Sequence, residues 1–191
     1  MISAENIQDK LGEGITPEEF IEKMNRKYRE LFTSYYDMFT WQDHDREALE
    51  PVAKREDLRC AIIAGDWCGD VQRNLGPILE VMKEADVPTE LFIVEKHEDF
   101  LDHFLTMGGR SVPKVIVANQ NGDVHFSWGP RPAYVQEPMV EFKQKNLQPD
   151  DPEIDQARQK AYDGIAERYG SGSGYQKLII NELTSQLRQI V

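Results

Sequence analysis

A chain of 191 residues, 40% of them apolar and 29% charged, has the composition of one globular domain with room for an extension, not of a disordered segment. Asp and Glu outnumber Lys and Arg by 34 to 22, for a net charge of −12 with no visible basic patch, so neither nucleic acid nor an anionic membrane surface is an expected partner. No apolar run approaches the ~18 residues of a bilayer span, Met1–Glu5 lacks the basic head and apolar core of a signal peptide, and the two cysteines, Cys60 and Cys68, are too few for a disulfide scaffold, which points to a reducing cytoplasm.

Residues 1–15 show no periodic pattern and are expected to lack regular structure. Thr16, Pro17 and Glu19 form a helix-start signature with a capping box. Phe20, Met24, Tyr28, Leu31, Phe32 and Tyr35 continue it as one amphipathic stripe, read as core packing. A short helix is predicted over Asp45–Arg55. Cys60–Ala64 is a continuous apolar run closed by Gly65, the mark of a strand covered on both faces. Residues 69–85 read as a helix that Gly76-Pro77 should bend. Leu91–Val94 is a second buried strand, parallel to the first through a right-handed crossover, and a short helix follows over Glu98–Met107. A strand through Val115–Val117, a turn at Asn121-Gly122 and a return strand Val124–Trp128 make a hairpin. Tyr134–Phe142 is helical, and Asp150-Asp151-Pro152 starts a further helix through Ile154, Ala157, Tyr162 and Ile165. Gly170–Gly174 reads as a flexible linker. The last helix, Tyr175–Val191, carries a stripe of Tyr175, Ile179, Leu183, Leu187 and Ile190. Left in water it would expose a sizeable apolar patch, so it should dock, either on the Phe20–Tyr35 stripe or on a second copy in a homodimer.

The chemistry centres on Asp66-Trp67-Cys68-Gly69-Asp70, where the first strand turns into a helix. A cysteine in the first turn of a helix aims its sulfur at unpaired backbone N–H groups and the positive end of the dipole, both of which favour the nucleophilic thiolate. The neighbouring Asp70 carboxylate opposes it. Cys60 lies six residues before Asp66 in an extended strand, roughly 20 Å from the active end, beyond the ~7 Å Cα reach of a disulfide; it reads as a buried structural thiol. His44, His97, His103 and His125 show no ligand spacing, so no metal site is expected.

The order βαβαββα over residues 58–145 is that of the thioredoxin fold, and the motifs agree. Trp67-Cys68-Gly69 resembles the Trp-Cys-Gly-Pro-Cys active site of thioredoxins, Pro77 the kinking proline of the following helix, and Gly109–Pro113 the loop that carries the cis-proline. Asn121-Gly122-Asp123 and Gly129 resemble the last hairpin and its closing glycine. The chain therefore resembles a bacterial thioredoxin-like protein. The resemblance implies an α/β thioredoxin-like domain over 58–147, with helical extensions at 1–57 and 148–191. It also implies a catalytic Cys68, with Trp67, Gly69, Asp70, Val112 and Pro113 around the substrate and the Val112–Pro113 bond cis. Trp67 either covers the thiol or packs against the fold.

The departures are specific. Val71 stands where a dithiol enzyme has its resolving cysteine, Asp70 where the usual proline stands, Ile62 in place of a buried aspartate, and Lys114 after the proline where threonine is usual. Two functions follow. One is a monothiol oxidoreductase acting on protein or small-molecule disulfides, resolved by an external thiol such as glutathione as co-substrate, in cell redox homeostasis. The other is a redox-inactive thioredoxin-fold module that binds proteins through the same groove. A peroxidase is disfavoured, because no threonine stands shortly before Cys68.

Overall fold

Seven consecutive residues, Leu58–Ala64, form strand β1, which is buried along almost its whole length. In the computed structural model, which describes residues 4–191, β1 lies inside a four-stranded sheet of order β2-β1-β3-β4, with β2 at Thr89–Ile93, β3 at Lys114–Asn119 and β4 at Val124–Trp128. β1 and β2 run parallel with Ile62 opposite Leu91. β3 is antiparallel to both β1 and β4, with Ile62 opposite Val115 and Val117 opposite Phe126. A strand flanked by two others and covered on both faces must be apolar throughout, which is why Cys60–Ala64 carries no polar residue. The edge strand β4 instead alternates half-buried and exposed positions.

The helices are α1 (Pro17–Lys23), α2 (Arg26–Tyr36), α3 (Asp43–Glu47), α4 (Gly69–Glu84), α5 (Glu98–Leu101), α6 (Ala133–Gln144), α7 (Ile154–Tyr169) and α8 (Gly174–Arg188). Among the described residues, none is long and apolar enough to cross a membrane.

Several sequence expectations need correction. The segment before Thr16 is structured. Ile7 is wholly buried, and its N–H donates to the Gly122 carbonyl (2.8 Å) while Val124 donates to Glu5 (2.8 Å). Further on, Ile15 and Leu91 exchange backbone bonds at 2.9 and 2.8 Å. The segment thus straps both ends of the sheet, satisfying edge groups that would otherwise stay unpaired. Residues 1–3 lie outside the described part. The Phe20–Tyr35 stripe is split between two helices, because Asn25 caps a new one by accepting from the Lys27 N–H (3.1 Å); Leu31 is consequently exposed. The predicted 45–55 helix reduces to α3 and a 3-10 turn at Val52–Lys54, the 98–107 helix to the single turn of α5, and Val94 leaves β2 for a 3-10 turn.

Gly170–Ser173 is a tight connection rather than a free linker: Gly170 caps α7 at φ 66° and α8 starts at Gly174. The stripe of α8 does dock, with Tyr175, Ile179, Leu183 and Leu187 buried, but chiefly on α4, reaching the N-terminal stripe at Tyr35, whose carbonyl accepts from the Gln176 amide (2.9 Å).

Two prolines explain why the C-terminal helices belong where they are. Pro77 lies inside α4 and Pro138 inside α6. Each removes an N–H and so frees the carbonyl four residues earlier, at Arg73 and Tyr134 respectively. The Tyr175 hydroxyl of α8 donates to the Arg73 carbonyl (3.0 Å), and the Arg168 guanidinium of α7 donates to the Tyr134 carbonyl (2.6 Å). α4 remains one continuous helix across Gly76-Pro77.

Candidate functional site

β1 ends at Ala64, three residues turn, and Cys68 becomes the N-cap of α4, its carbonyl accepting from Gln72 N–H (3.0 Å). That position places the sulfur where the first α4 amides point outward. The loop 109–113 reaches the same point from the start of β3. The Val112–Pro113 bond is cis, and the Cys68 thiol donates to the Val112 carbonyl at 3.3 Å. Pro113 is buried behind Val112 and packs its own carbonyl against Gly129: a Cβ at Gly129, where φ is 114°, would meet it at 2.2 Å. No other residue fits there.

Cys68, Trp67, Gly69, Asp70 and Val112 line one cleft of about 450 Å³. Trp67 is 54% exposed; its indole lies over Gly65, where a Cβ would approach it to 2.8 Å, and its N–H donates to Glu95. It therefore rims the cleft and packs against the fold at once.

The far wall is made of residues the motif does not announce: Arg131 from the loop before α6, and Tyr162, Ile165 and Tyr169 from α7. Asp70 belongs to this wall as much as to the motif. Its carboxylate takes a two-pronged bond from the Arg131 guanidinium, with Nε at 3.0 Å from Oδ1 and Nη2 on Oδ2, and accepts the Tyr169 hydroxyl at 2.6 Å. Asn74, wholly buried one turn along α4, donates to that hydroxyl (2.8 Å) and to the Pro130 carbonyl (2.9 Å). Burial and the Asp70 charge hold the Tyr169 phenol well above the usual tyrosine range. The signal available in the sequence was the i, i+4 pair Ile165/Tyr169 on one helix face; nothing local linked Arg131 to Asp70, which is 61 positions away.

The contest between dipole and carboxylate has a direction. Burial first, and the Asp70 charge second, push the Cys68 thiol above the ordinary cysteine value; the Val71 and Asp70 N–H groups and Arg131 pull the other way and lose. Val71 is fully buried in the core, and Cys60 is a free thiol buried in β1 and pushed up to about 12 by desolvation. Neither can resolve a disulfide at Cys68. Lys114 is also buried: its Nζ donates to Thr106 Oγ1 (2.6 Å) and to the Gly129 carbonyl (3.2 Å), tying the proline loop to the one after β4. Desolvation lowers it to about 8.

The sequence profile of the thioredoxin family matches residues 14–148. Two solved structures are similar along the chain. One is a protein of unknown function from Pseudomonas aeruginosa, 15% identical, covering 100% of both chains with a TM-score of 0.67. The other is an HIV epitope-scaffold, 14% identical, covering 92% of this chain and 93% of its own with a TM-score of 0.63. At these identities the likeness shows the fold. No curated protein matches the sequence significantly.

Proposed function

Because the chain belongs to the thioredoxin family, we propose that it performs thiol–disulfide exchange through Cys68 alone. The observation that carries this reading is the Cys68 sulfur at the N-cap of α4, in an open cleft, 3.3 Å from the carbonyl that precedes Pro113. In the free protein that carbonyl accepts the thiol proton and so favours the neutral form. An extended substrate that donates a backbone N–H to Val112 takes the acceptor away, and the thiol is then easier to ionise beside the α4 amides.

The deprotonated sulfur attacks one sulfur of a disulfide. A bond forms between Cys68 and that sulfur, the old S–S bond breaks, and its electron pair leaves with the second sulfur as a thiolate. With Val71 at the resolving position, release requires an external thiolate that attacks the mixed disulfide and regenerates Cys68, a role glutathione fits as co-substrate in a reducing cytoplasm. Incubation with glutathione disulfide should give a mass adduct that Cys68→Ser abolishes and Cys60→Ser keeps, with little activity in an insulin-reduction assay.

Two observations favour a second reading, a binding module without redox chemistry. The Cys68 proton is held more firmly than in a free cysteine, and Asp70 is engaged with Arg131 and Tyr169 instead of facing a substrate. Absence of any Cys68 adduct with glutathione disulfide, while the cleft still binds an extended peptide, establishes this alternative.

A further inference from the structure

The cleft beside Cys68 inverts the charge of the molecule that contains it. The chain carries −12 overall, yet three guanidinium groups, those of Arg73, Arg110 and Arg131, line the cleft against the single carboxylate of Asp70. Two of the three are committed. Arg110 is clamped by Asp102 (2.7 and 2.8 Å) and Glu98 (2.6 Å), and Arg131 is held by Asp70 and by Gln136 (2.9 Å). Arg73 differs. Its guanidinium lies over the rings of Tyr35 and Tyr169, at 4.4 and 4.9 Å from their centroids, and meets no carboxylate among the described residues.

Held against two rings and engaged in no side-chain hydrogen bond or ion pair among the described residues, the guanidinium has N–H donors to offer a planar, two-oxygen acceptor. Resting on the exchange reading of Cys68, we propose that the cleft binds a low-molecular-weight thiol or disulfide bearing a carboxylate, and that Arg73 is the residue that binds the carboxylate. A volume of about 450 Å³ is in the range of small-molecule sites. The α7 side chains Tyr162 and Ile165 supply an apolar wall for the rest of the molecule.

The test separates binding from exchange by using S-methylglutathione, a carboxylate-bearing thioether that cannot exchange, with the full chain. Titration calorimetry should show saturable binding, and the dimethyl ester of the same ligand, which lacks both carboxylates, should bind about tenfold more weakly or worse, as loss of a charged hydrogen bond requires. Arg73→Gln should reproduce that loss for the acid and leave the ester unaffected, and Arg73→Lys should recover part of it. No saturable binding of the acid, or equal binding of acid and ester by the wild type, overturns the proposal whether or not the variants fold. Exchange is scored apart: if S-methylglutathione binds and discriminates while glutathione disulfide leaves no adduct on Cys68, the carboxylate site stands and the redox reading falls.

Discussion

Cys68 is a thiol whose proton is held first by burial and second by the Asp70 charge on the cleft wall, with a smaller opposing pull from Arg131. Asp70 raises its pKa and Arg131 lowers it, and each neutralises the other through a two-pronged bond. Asp70→Asn removes the negative charge that disfavours the thiolate and leaves the guanidinium unopposed, so both effects act in one direction. The iodoacetamide alkylation midpoint of Cys68 in a Cys60→Ser background should fall relative to the parent, and Arg131→Gln should raise it. Lys114 supplies a second residue-scale expectation. Its folded value of about 8 lies below the ~10.4 of an exposed lysine, so below pH 8 both states carry the proton and the folded state bears the full cost of burying it. The Lys114 contribution to stability should therefore rise as pH climbs from about 8 toward 10.4, by on the order of 3 kcal/mol. The raised thiols of Cys60 and Cys68 and the raised phenol of Tyr169 titrate in the opposite sense over the same window, so the readout is the difference. In urea unfolding from pH 7 to 10 the wild type should gain relative to Lys114→Met, which should be the more stable protein at pH 7.

At the scale of the elements, prolines dictate which helices must touch. Pro77 and Pro138 each release a carbonyl that a helix would otherwise satisfy internally, and each carbonyl finds its donor on a different C-terminal helix. Tyr175→Phe keeps the buried ring and its edge-on contact with Tyr169, 5.0 Å between centroids, and removes only the donor to Arg73. It should cost about 1–2 kcal/mol in denaturant unfolding. A cost no larger than that of an exposed Tyr→Phe change would show that the freed carbonyl is satisfied by other means. The close approach of Gly76 to the Tyr36 ring, where a Cβ would sit at 2.8 Å, packs α2 on the same helix. α4 is thus gripped by α2 and α8, while its first turn carries the reactive sulfur.

For the whole molecule, the terminal segments complete the fold instead of decorating it. The N-terminal strap pairs with both ends of the sheet, and α8 buries Tyr175, Ile179, Leu183 and Leu187 on α4. Burying each such side chain is worth about 1.5–3 kcal/mol, so together they rival the ~5–15 kcal/mol that a domain has in total. Truncation after Gly170 should accordingly abolish cooperative thermal unfolding and create dye-binding surface; an unchanged melting transition would show that α8 is dispensable.

What the sequence by itself determined is what local chemistry and short-range pattern can specify. The apolar run Cys60–Ala64 could only be an inner strand, the Thr16/Glu19 capping box could only start a helix, and the Trp-Cys-Gly turn with a proline loop 45 positions later marked the thioredoxin family and its fold. Patterns of this kind are readable because each is satisfied within a few residues or by burial alone. The tertiary structure decided the rest, and for one reason: the groups concerned have no partner nearby in the chain. Asp70 meets Arg131 and Tyr169 across 61 and 99 positions, the freed Arg73 carbonyl meets Tyr175 across 102, and Ile7 finds Gly122 at the far end of a hairpin. Whether Cys68 favours the thiol or the thiolate depends on that surrounding wall, because desolvation and charge act through space and leave no trace in residue spacing.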